Sequence, residues 1–350
     1  PKGLLKFHKY PEGSRTAFEE HLVEAAAYVR DENGHSHLHF TVSKEHLEEF
    51  QRLLEVMIPL YERKYQVSFD VSFSTQKKSA DTLAVDLNNR PFRYGNGQLL
   101  FRPGGHGALI ENLNDLKGHI IFIKNIDNVV PDRLKPETFK WKKIMGGYLM
   151  TLQSEIFSYL EKLTSTVTGD QVLNEAMAFV KEELSQSVPV SIENGSPETK
   201  KAFLMEKLDR PIRVCGMVQN VDEPGGGPFW VKERSGETSR QIVETAEIDR
   251  DSQDQQAILA SSTHFNPVDL VCGVRDWKGR AFDLRKFVDP KAVFISRKSK
   301  DGKDLKALEH PGLWNGAMAR WITIFVEVPR ITFNPVKTVN DLLRKEHQPG

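Results

Sequence analysis

The residues with the clearest capacity for chemistry lie between positions 101 and 128, in FRPGGHGALIENLNDLKGHIIFIKNIDN. An apolar run in this segment leads to Asp127, and such a run is typical of a central parallel strand. Open α/β sheets bind their ligands beyond the carboxyl ends of the strands, where a carboxylate commonly holds Mg²⁺ together with substrate phosphates. Asp127 is therefore a candidate magnesium ligand, with the alternative that it caps the turn after the strand.

Three glycines surround His106 in PGGHG, upstream of that strand. Gly104 and Gly105 would let the backbone approach a flat or anionic ligand closely, and the following helix offers free N–H groups at its start. The motif therefore indicates a ligand-binding loop in which His106 stacks or forms a hydrogen bond. An ordinary tight turn with a solvated histidine explains the same residues.

Two lysines near opposite ends of the chain are further candidates. Lys2 lies in PKGLLKF and Lys337 lies in FNPVKTVNDLL. An ammonium group is a compact charge suited to a phosphate, although a lysine taken singly is most often a solvated surface residue. The chain contains no Walker loop, no GxGxxG and no HExxH, so the usual support for P-loop, dinucleotide-binding and zincin functions is missing.

The segment WNGAMARW places small residues between Trp314 and Trp321. An exposed tryptophan here would be a platform on which a sugar ring stacks. The alternative is that the segment is a helix with a small face and packs in the core.

The elements that must position these residues alternate between strand and helix patterns in the first half. A helix is predicted to begin near Thr16, and Ser43 is predicted to cap a second one. HLHFTVS and VSFDVSFSTQ are typical of strands, and TLAVDL and QLLF predict a hairpin around a Gly-Asn-Gly turn. Strands separated by helices imply a mostly parallel sheet covered on both faces.

The pattern is helical from Pro136 to about Val188, and the polar stretch SIENGSPETKK then predicts a loop. The remainder returns to strands, among them IRVCGMV, RQIVETAEI, VDLVCGV and WITIFVEV. We therefore predict two halves, residues 1–190 and 191–350, with the loop as the boundary between them.

Composition limits the classes of partner. Basic and acidic residues balance at 48 each, so no polyanion-seeking surface is expected and a nucleic acid polymer is not an expected partner. The longest apolar runs are too short to span a bilayer and no signal segment opens the chain, so we expect a cytoplasmic protein without a membrane partner. Cys215 and Cys272 lie in strand-like apolar runs, which predicts buried, reduced thiols.

Several motifs together resemble the UDP-sugar pyrophosphorylase group. The resemblance rests on PGGHG, on NIDN at a strand end and on EVPRITFNPVKTVNDLL near the C-terminus. PKGLLKF resembles the Pro-Lys segment of nucleotidyltransferases, and RVCGMV and QIVETAEID resemble the sugar-site strands of the N-acetylhexosamine enzymes. The motifs occur in the family's order from residue 1 to about 345. The whole chain looks most like an uncharacterised bacterial family of the nucleotide-diphospho-sugar transferase superfamily.

The resemblance implies a GT-A-like (Rossmann-like) α/β fold, with a mostly parallel mixed sheet flanked by helices. It also implies a reaction in which a nucleoside triphosphate and a sugar 1-phosphate form an NDP-sugar, expected to be a UDP-sugar, and pyrophosphate, with Mg²⁺. The first half would bind the nucleotide, and the second would bind the sugar and complete the same domain.

The same resemblance assigns expected roles to individual residues. Lys2 would neutralise the triphosphate, Lys337 would contact the sugar phosphate and Asp127 would hold Mg²⁺. The other expected contacts are with the nucleotide for Gln76, Gly104, Gly105 and His106, and with the sugar for Gly216, Glu244 and Asn266. His106 replaces the asparagine of the N-acetylhexosamine enzymes and matches the glucose-type enzymes, so the sugar stays open.

One departure from the family pattern leaves other functions open. The family's glycine-rich loop, with an arginine that clamps the β- and γ-phosphates, precedes the Pro-Lys segment. We therefore expect either that the chain is a piece of a longer polypeptide or that this form does not complete the reaction. The alternative functions are a non-catalytic sugar-nucleotide-binding module and, more weakly, a GT-A glycosyltransferase, which usually has Asp-x-Asp where this chain has Ile126-Asp127-Asn128. The base and the oligomeric state are not determined.

Overall fold

The structure, a computed structural model, describes residues 1–165, 168–221, 225–232 and 236–349. The fold is of the α/β class, as predicted, and the chain divides into two compact units. Unit 1 contains Pro1–Gln76, Lys124–Gly146 and Glu327–Gly350, and unit 2 contains Lys77–Ile123 and Gly147–Val326. The predicted boundary at residues 190 and 191 falls inside unit 2, so the units do not coincide with the predicted halves. The assignment of nucleotide and sugar binding to those halves stays a prediction.

The strands of the described residues are β1 (Lys6–Tyr10), β2 (Gly13–Thr16), β3 (His35–Thr41), β4 (Ser68–Ser74), β5 (Thr82–Val85), β6 (Phe101–Arg102), β7 (Ile120–Lys124), β8 (Ile212–Gln219), β9 (Gly226–Lys232), β10 (Thr238–Glu244), β11 (His264–Phe265), β12 (Asp269–Gly273), β13 (Phe294–Lys300), β14 (Lys303–Glu309) and β15 (Ile322–Glu327). The α-helices are α1 (Ala17–Tyr28), α2 (Leu47–Tyr65), α3 (Ile110–Leu116), α4 (Lys135–Thr164), α5 (Asp170–Glu182), α6 (Val190–Glu193), α7 (Pro197–Leu208) and α8 (Gln253–Ala260). Short 3₁₀ helices connect several of these elements.

Helix α1 of unit 1 begins where the sequence predicts. The hydroxyl of Thr16 accepts a hydrogen bond from the N–H of Glu19, and the Glu19 carboxylate accepts one from the N–H of Thr16. This reciprocal capping satisfies two N–H groups that the first turn leaves without partners. The prediction for Ser43 is wrong in detail, because a 3₁₀ helix precedes α2 and the Ser43 side chain makes no capping hydrogen bond.

An apolar core of phenylalanines and aliphatic residues holds the helices of unit 1 to its strands. β3 and β4 pair in parallel, from His35 opposite Ser68 to Thr41 opposite Ser74. Phe18 and Leu22 of α1 are fully buried against partly buried side chains of β3, β4 and α2. Helix α1 therefore presents one face to this core and its other face, which carries Glu20 and Glu24, to charged groups.

A buried network of charged side chains lies on that other face. Glu20 accepts a hydrogen bond from Lys135 at 2.6 Å, and His8 Nδ1 lies 2.9 Å from the other Glu20 oxygen. Burial by itself raises the pKa of Glu20. The hydrogen bond with His8 and the charge of Lys135 outweigh this effect and lower the pKa to about 2. Beyond Glu20, His8 Nε2 lies 2.9 Å from Nδ1 of His347, so the network reaches the C-terminal segment.

The stability of the protein should decrease as the pH falls from about 6.5 towards 4, because burial and the neighbouring His8 lower the pKa of His347 to about 4. An unfolded histidine has a pKa near 6.5, so between these values the unfolded chain binds a proton that the folded chain does not. His347→Gln should remove about 1–2 kcal/mol of this pH dependence, after allowance for solvent screening. Urea unfolding at pH 7.5 and pH 5.0 measures the difference.

The exposed His37 provides the matched control, because its side chain is 65% exposed and pairs with Asp70 on the surface. His37→Gln should leave the pH dependence as it is in the unchanged protein. Equal slopes for the unchanged protein and the His347→Gln variant would contradict this assignment.

Unit 2 contains a mixed five-stranded sheet, in which β11, β8, β12 and β7 are neighbours in that order and β15 also pairs with β8. β12 runs antiparallel to β8, with Leu270 opposite Cys215. The prediction that the run ending at Asp127 is a central strand is wrong, because β7 lies at the end of this order and its residues are only partly buried. A short apolar run satisfies an edge position as well as a central one, so its composition alone does not distinguish them.

Other local predictions for unit 2 have mixed outcomes. β5 and β6 pair antiparallel as predicted, but β6 contains only the last residue of QLLF, and the Gly-Asn-Gly turn closes the bridge between Arg93 and Leu99 instead. Cys215 and Cys272 are buried free thiols. The polar stretch predicted as a loop instead contains α6 and the start of α7, because Ser196 caps α7 and Pro197 occupies its first position. Within the described ranges, none of the helices is both long and apolar enough to cross a bilayer.

Candidate functional site

Three of the residues singled out in the sequence meet in unit 1. Lys2 Nζ lies 2.7 Å from Oδ2 of Asp127, and Lys337 Nζ lies 3.6 Å from the same oxygen. The Asp127 side chain is 9% exposed, whereas those of Lys2 and Lys337 are 37% and 57% exposed. A buried carboxylate thus draws two partly exposed ammonium groups together, and we call Lys2, Asp127 and Lys337 the lysine–aspartate cluster.

The backbone around Asp127 brings the Lys337 segment to this position. The Asp127 carbonyl accepts a hydrogen bond from the N–H of Val336, the residue before Lys337. Asn128, which is buried, accepts a hydrogen bond from the N–H of Asn334 and donates one to the carbonyl of Thr332. The amide of Asn128 therefore acts as a clamp on the loop that carries Lys337. Its place next to Asp127 in NIDN was the signal for this role, which the sequence reasoning did not use.

Lys2 lies at the start of a 3₁₀ helix, Lys2–Leu4, that packs tightly within unit 1. A Cβ atom on Gly3 would lie 2.8 Å from the ring of Phe50, so only glycine fits at this point of closest approach. On the Asp127 side, the carbonyl of Ile126 lies 3.1 Å from Nε2 of His21, which must carry the proton of this hydrogen bond. Both partners of the 2.7 Å ion pair are thus held by packed backbone.

The charges of the lysine–aspartate cluster do not balance, because two ammonium groups face one carboxylate. The cluster has an excess of one positive charge, so it attracts an anion, and the attraction increases with the negative charge of that anion. Phosphate groups meet this requirement, since each carries at least one negative charge at neutral pH. The cluster is therefore suited to a polyphosphate.

The same carboxylate offers one oxygen to a metal ion. Asp127 Oδ1 is buried and has no hydrogen-bond partner among the described residues. In the part of the chain that the structure describes, no three or more His, Cys, Asp or Glu side chains group in a way that could hold a metal ion. Mg²⁺ is usually held by one or two carboxylates together with substrate phosphates, so a single free oxygen fits an ion that arrives with its phosphates.

A second cluster, in unit 2, joins the predicted nucleotide residue His106 to the predicted sugar residue Glu244. The His106 ring stacks on Trp314, with centroids 4.2 Å apart and planes 16° apart. Glu244 Oε1 lies 3.3 Å from Nε2 of His106 and accepts a 3.0 Å hydrogen bond from Nε1 of Trp314. Burial raises the pKa of Glu244, but these two contacts outweigh it and lower the value. We call these three residues the histidine–tryptophan–glutamate cluster.

The proton on His106 is assigned by a backbone contact. Nδ1 of His106 accepts a hydrogen bond from the N–H of Leu313 at 3.1 Å, so Nδ1 cannot itself carry the proton in this arrangement. The proton of the neutral ring lies on Nε2 and points to Glu244. His106 is therefore a fixed donor within this cluster, which contradicts the alternative of a merely solvated histidine.

Arg213 of β8 supports this cluster from the core. It is fully buried, and its guanidinium donates hydrogen bonds to the hydroxyl of Thr323 at 2.9 Å and to the carbonyl of Trp314 at 2.5 Å. Burial lowers the pKa of Arg213. The sequence reasoning missed Arg213, because nothing local distinguishes it from a surface arginine on a strand.

The two tryptophans of WNGAMARW have different environments. Trp314 stacks on His106 and is partly exposed, as a platform for a ring requires. Trp321 is 5% exposed and packs in the core of unit 2. The residues between them form a 3₁₀ helix, Gly316–Met318. Core packing is therefore confirmed for Trp321, whereas a platform for a sugar ring at Trp314 stays a prediction.

The glycines before His106 are required by packing within unit 2. Gly105 has a φ of 78°, a backbone conformation that favours glycine. A Cβ atom on Gly104 would lie 2.6 Å from the carbonyl oxygen of Ala80 and 2.3 Å from the ring of His310. This tight turn explains the glycines without a ligand, and a role for Gly104 and Gly105 in nucleotide binding stays a prediction.

The remaining candidates, Gln76, Gly216 and Asn266, are not members of either cluster as defined above. Gln76 follows β4 at the end of a segment of unit 1 and is partly buried. Gly216 lies in the buried interior of β8. Asn266 is 3% exposed and its side-chain oxygen accepts a hydrogen bond from the N–H of Val268, so it stabilises the turn before β12.

Comparison with known proteins shows one family and a group of similar folds. A family model described as "Domain of unknown function (DUF4301)" matches residues 1–348. None of the curated proteins matches the chain. Two solved structures of UDP-glucose pyrophosphorylase from Leishmania major, each of a different point mutant in complex with UDP-glucose, are 15% identical and cover 98% of this chain, with TM-scores of 0.52 and 0.54.

The likeness covers only part of those proteins, because this chain spans 61% and 60% of the two Leishmania chains. A putative UDP-N-acetylglucosamine pyrophosphorylase from Entamoeba histolytica is 12% identical over 97% of this chain and 72% of its own, with a TM-score of 0.47. At the identity and TM-score of the Leishmania structures, the likeness shows that this chain has the fold of UDP-sugar pyrophosphorylases, as the motifs implied.

Proposed function

The chain belongs to the DUF4301 family, and within that family we propose that it is a sugar-1-phosphate nucleotidyltransferase. The reaction joins a nucleoside triphosphate, expected to be UTP, to a sugar 1-phosphate and releases pyrophosphate. The observation that carries the proposal is the convergence of Lys2 and Lys337 on one buried carboxylate, Asp127. The fold, which is that of UDP-sugar pyrophosphorylases, supports it.

The reaction needs no nucleophile from the protein. A phosphate oxygen of the sugar 1-phosphate attacks the α-phosphorus of the nucleotide, the new P–O bond forms, and the bond to the leaving pyrophosphate breaks. The barrier arises largely from bringing two polyanions together, so fixed positive charge and alignment provide most of the catalysis.

The lysine–aspartate cluster supplies that charge. Lys2 would neutralise the triphosphate and Lys337 would contact the phosphate of the sugar. Asp127 holds both ammonium groups in place, at 2.7 and 3.6 Å, and its unpartnered Oδ1 would hold Mg²⁺. Mg²⁺, when bound, neutralises phosphate oxygens and supplies Lewis acidity at phosphorus.

Within unit 2, the histidine–tryptophan–glutamate cluster is proposed to contribute residues that recognise a base and a sugar. The Glu244 carboxylate has a lowered pKa and would accept hydrogen bonds from sugar hydroxyls. The N–H at Nε2 of His106 points to Glu244 and keeps this carboxylate oriented. The ring of His106 would border the base. Further contacts are proposed with the base for Gln76, Gly104 and Gly105, and with the sugar for Gly216 and Asn266.

The proposal predicts Mg²⁺-dependent release of pyrophosphate. We would assay the full-length protein with each of the four common nucleoside triphosphates and a panel of sugar 1-phosphates, and we expect release with UTP and one sugar. Reactions without sugar 1-phosphate, and with EDTA, are the controls. No release with any pair, together with thermal stabilisation by nucleotide sugars, would instead indicate a non-catalytic sugar-nucleotide-binding module.

A further inference from the structure

A cavity of about 790 Å³ lies in unit 2 and contains none of the proposed site residues. Its walls come from the hairpin of β9 and β10, from α8, from residues 289–294 and from residues 316–320. Sites for small molecules usually measure roughly 300–1,000 Å³, so the cavity has the size of a ligand pocket.

The apolar part of the cavity presents large side chains to solvent. Trp230 is 60% exposed and Ile258 is 57% exposed, and both line the cavity together with the partly buried Phe229 and Phe294. A single exposed apolar residue is common on soluble proteins, but several that line one cavity form a surface that water solvates poorly. A flat or aliphatic body placed between Trp230 and Ile258 would remove that surface from water.

The cavity is lined by more cationic side chains than acidic ones. Lys232, Lys291 and Arg320 line it, all three are exposed, and none of them forms an ion pair with another described residue. The two acids in the lining are already engaged by donors of the protein. Glu247 accepts hydrogen bonds from the N–H of Glu244 and from Asn315, and Asp289 accepts one from the N–H of Lys291.

From the apolar walls and the unpaired cations, we propose that this cavity is a second binding site, for a small amphipathic anion. The ligand has an aromatic or aliphatic body that packs on Trp230 and Ile258, and a single acidic group that faces Lys291 and Arg320. The proposal does not rest on nucleotidyl transfer, because none of its residues belongs to the lysine–aspartate cluster or the histidine–tryptophan–glutamate cluster.

Two fluorescent probes of matching shape separate the apolar contribution from the charged one. Anilinonaphthalene sulfonate carries one negative charge and N-phenylnaphthylamine carries none. We expect the sulfonate to bind the folded protein saturably, with one site per chain, and more tightly than the neutral amine. Fluorescence titration and isothermal calorimetry measure affinity and stoichiometry.

Variants then assign the binding to this cavity. Trp230→Ala should weaken both probes about tenfold, since the loss of one aromatic contact and its burial costs roughly 1.4 kcal/mol. The double variant Lys291→Glu with Arg320→Glu should weaken only the sulfonate, because it leaves the apolar walls unchanged. All three substituted side chains are exposed, so the melting temperature should stay close to that of the unchanged protein.

Trp277 provides the matched control, because it is a tryptophan with a cation close to its ring but lies outside the cavity. Lys278 Nζ lies 4.6 Å from the Trp277 ring centroid, and neither residue lines the cavity. Trp277→Ala should leave both affinities unchanged. The proposal is overturned if the sulfonate binds without saturation, if Trp277→Ala weakens binding as much as Trp230→Ala, or if charge reversal leaves the sulfonate affinity intact.

Discussion

Replacing Lys337 with alanine is expected to lower the turnover of the proposed reaction about 10³-fold while changing the affinity for UTP less than about threefold. Lys337 Nζ lies 3.6 Å from Asp127 and its side chain is 57% exposed, so its loss leaves the 2.7 Å pair between Lys2 and Asp127 in place. In the proposed reaction, the substitution removes the charge expected to contact the sugar phosphate and keeps the charge expected to contact the nucleotide. Single-turnover release of pyrophosphate and calorimetric binding of UTP measure the two effects.

Two further variants control this experiment. Lys345→Ala removes one exposed lysine from the same C-terminal segment of unit 1, and turnover should be unchanged. Lys337→Arg keeps the charge but changes its shape, and we expect a partial loss of turnover. If Lys337→Ala turns over as fast as Lys345→Ala, then Lys337 does not act on the reacting phosphates.

Replacing Asp127 with asparagine should abolish the effect of Mg²⁺ on the binding of pyrophosphate. The substitution keeps the shape of the side chain but raises the excess positive charge of the lysine–aspartate cluster by one. Pyrophosphate without metal should therefore bind about tenfold more tightly, while added Mg²⁺ should no longer increase its affinity. Thermal shift and calorimetric titrations with pyrophosphate, each with Mg²⁺ and with EDTA, test both parts without requiring catalysis.

Asp132→Asn is the matched control for Asp127→Asn, because Asp132 is also an ion-paired acid of unit 1, with Oδ1 2.6 Å from Arg15. Its loss should leave the Mg²⁺ dependence of pyrophosphate binding unchanged. An Asp127→Asn variant that still binds pyrophosphate better with Mg²⁺ would show that Asp127 only organises the turn after β7. The capping role considered from the sequence would then be sufficient.

Short-range signals predicted much of the local structure correctly. The capping pair of Thr16 and Glu19 starts α1, and β5 and β6 pair antiparallel as predicted. The same kind of signal was misread at Ser196 and Pro197, where a helix start was taken for a loop because the surrounding residues are polar. The capping hydrogen bonds join residues three positions apart and β5 lies close to β6 in the chain, so a sequence window contains the information that decides these features.

The arrangement of the site was less accessible from the sequence. Lys2 and Asp127 are 125 positions apart, and only the order of motifs shared with a known family suggested that they act together. The excess positive charge, the free oxygen of Asp127 and the clamp made by Asn128 required atomic positions. The stack of His106 on Trp314 likewise joins two motifs that were considered separately.

The sequence alone therefore specified the α/β class and the types of most elements, and it supplied the candidate side chains for the proposed chemistry. The folded chain established how they are arranged: two lysines on one buried carboxylate, a histidine whose proton points to Glu244, and a cavity lined by cations that form no ion pair with any described residue. This difference between what the sequence and the folded structure determine has a physical reason. Backbone propensity and capping act over a few residues, whereas burial, charge pairing and the direction of a proton depend on atoms that only folding brings into contact.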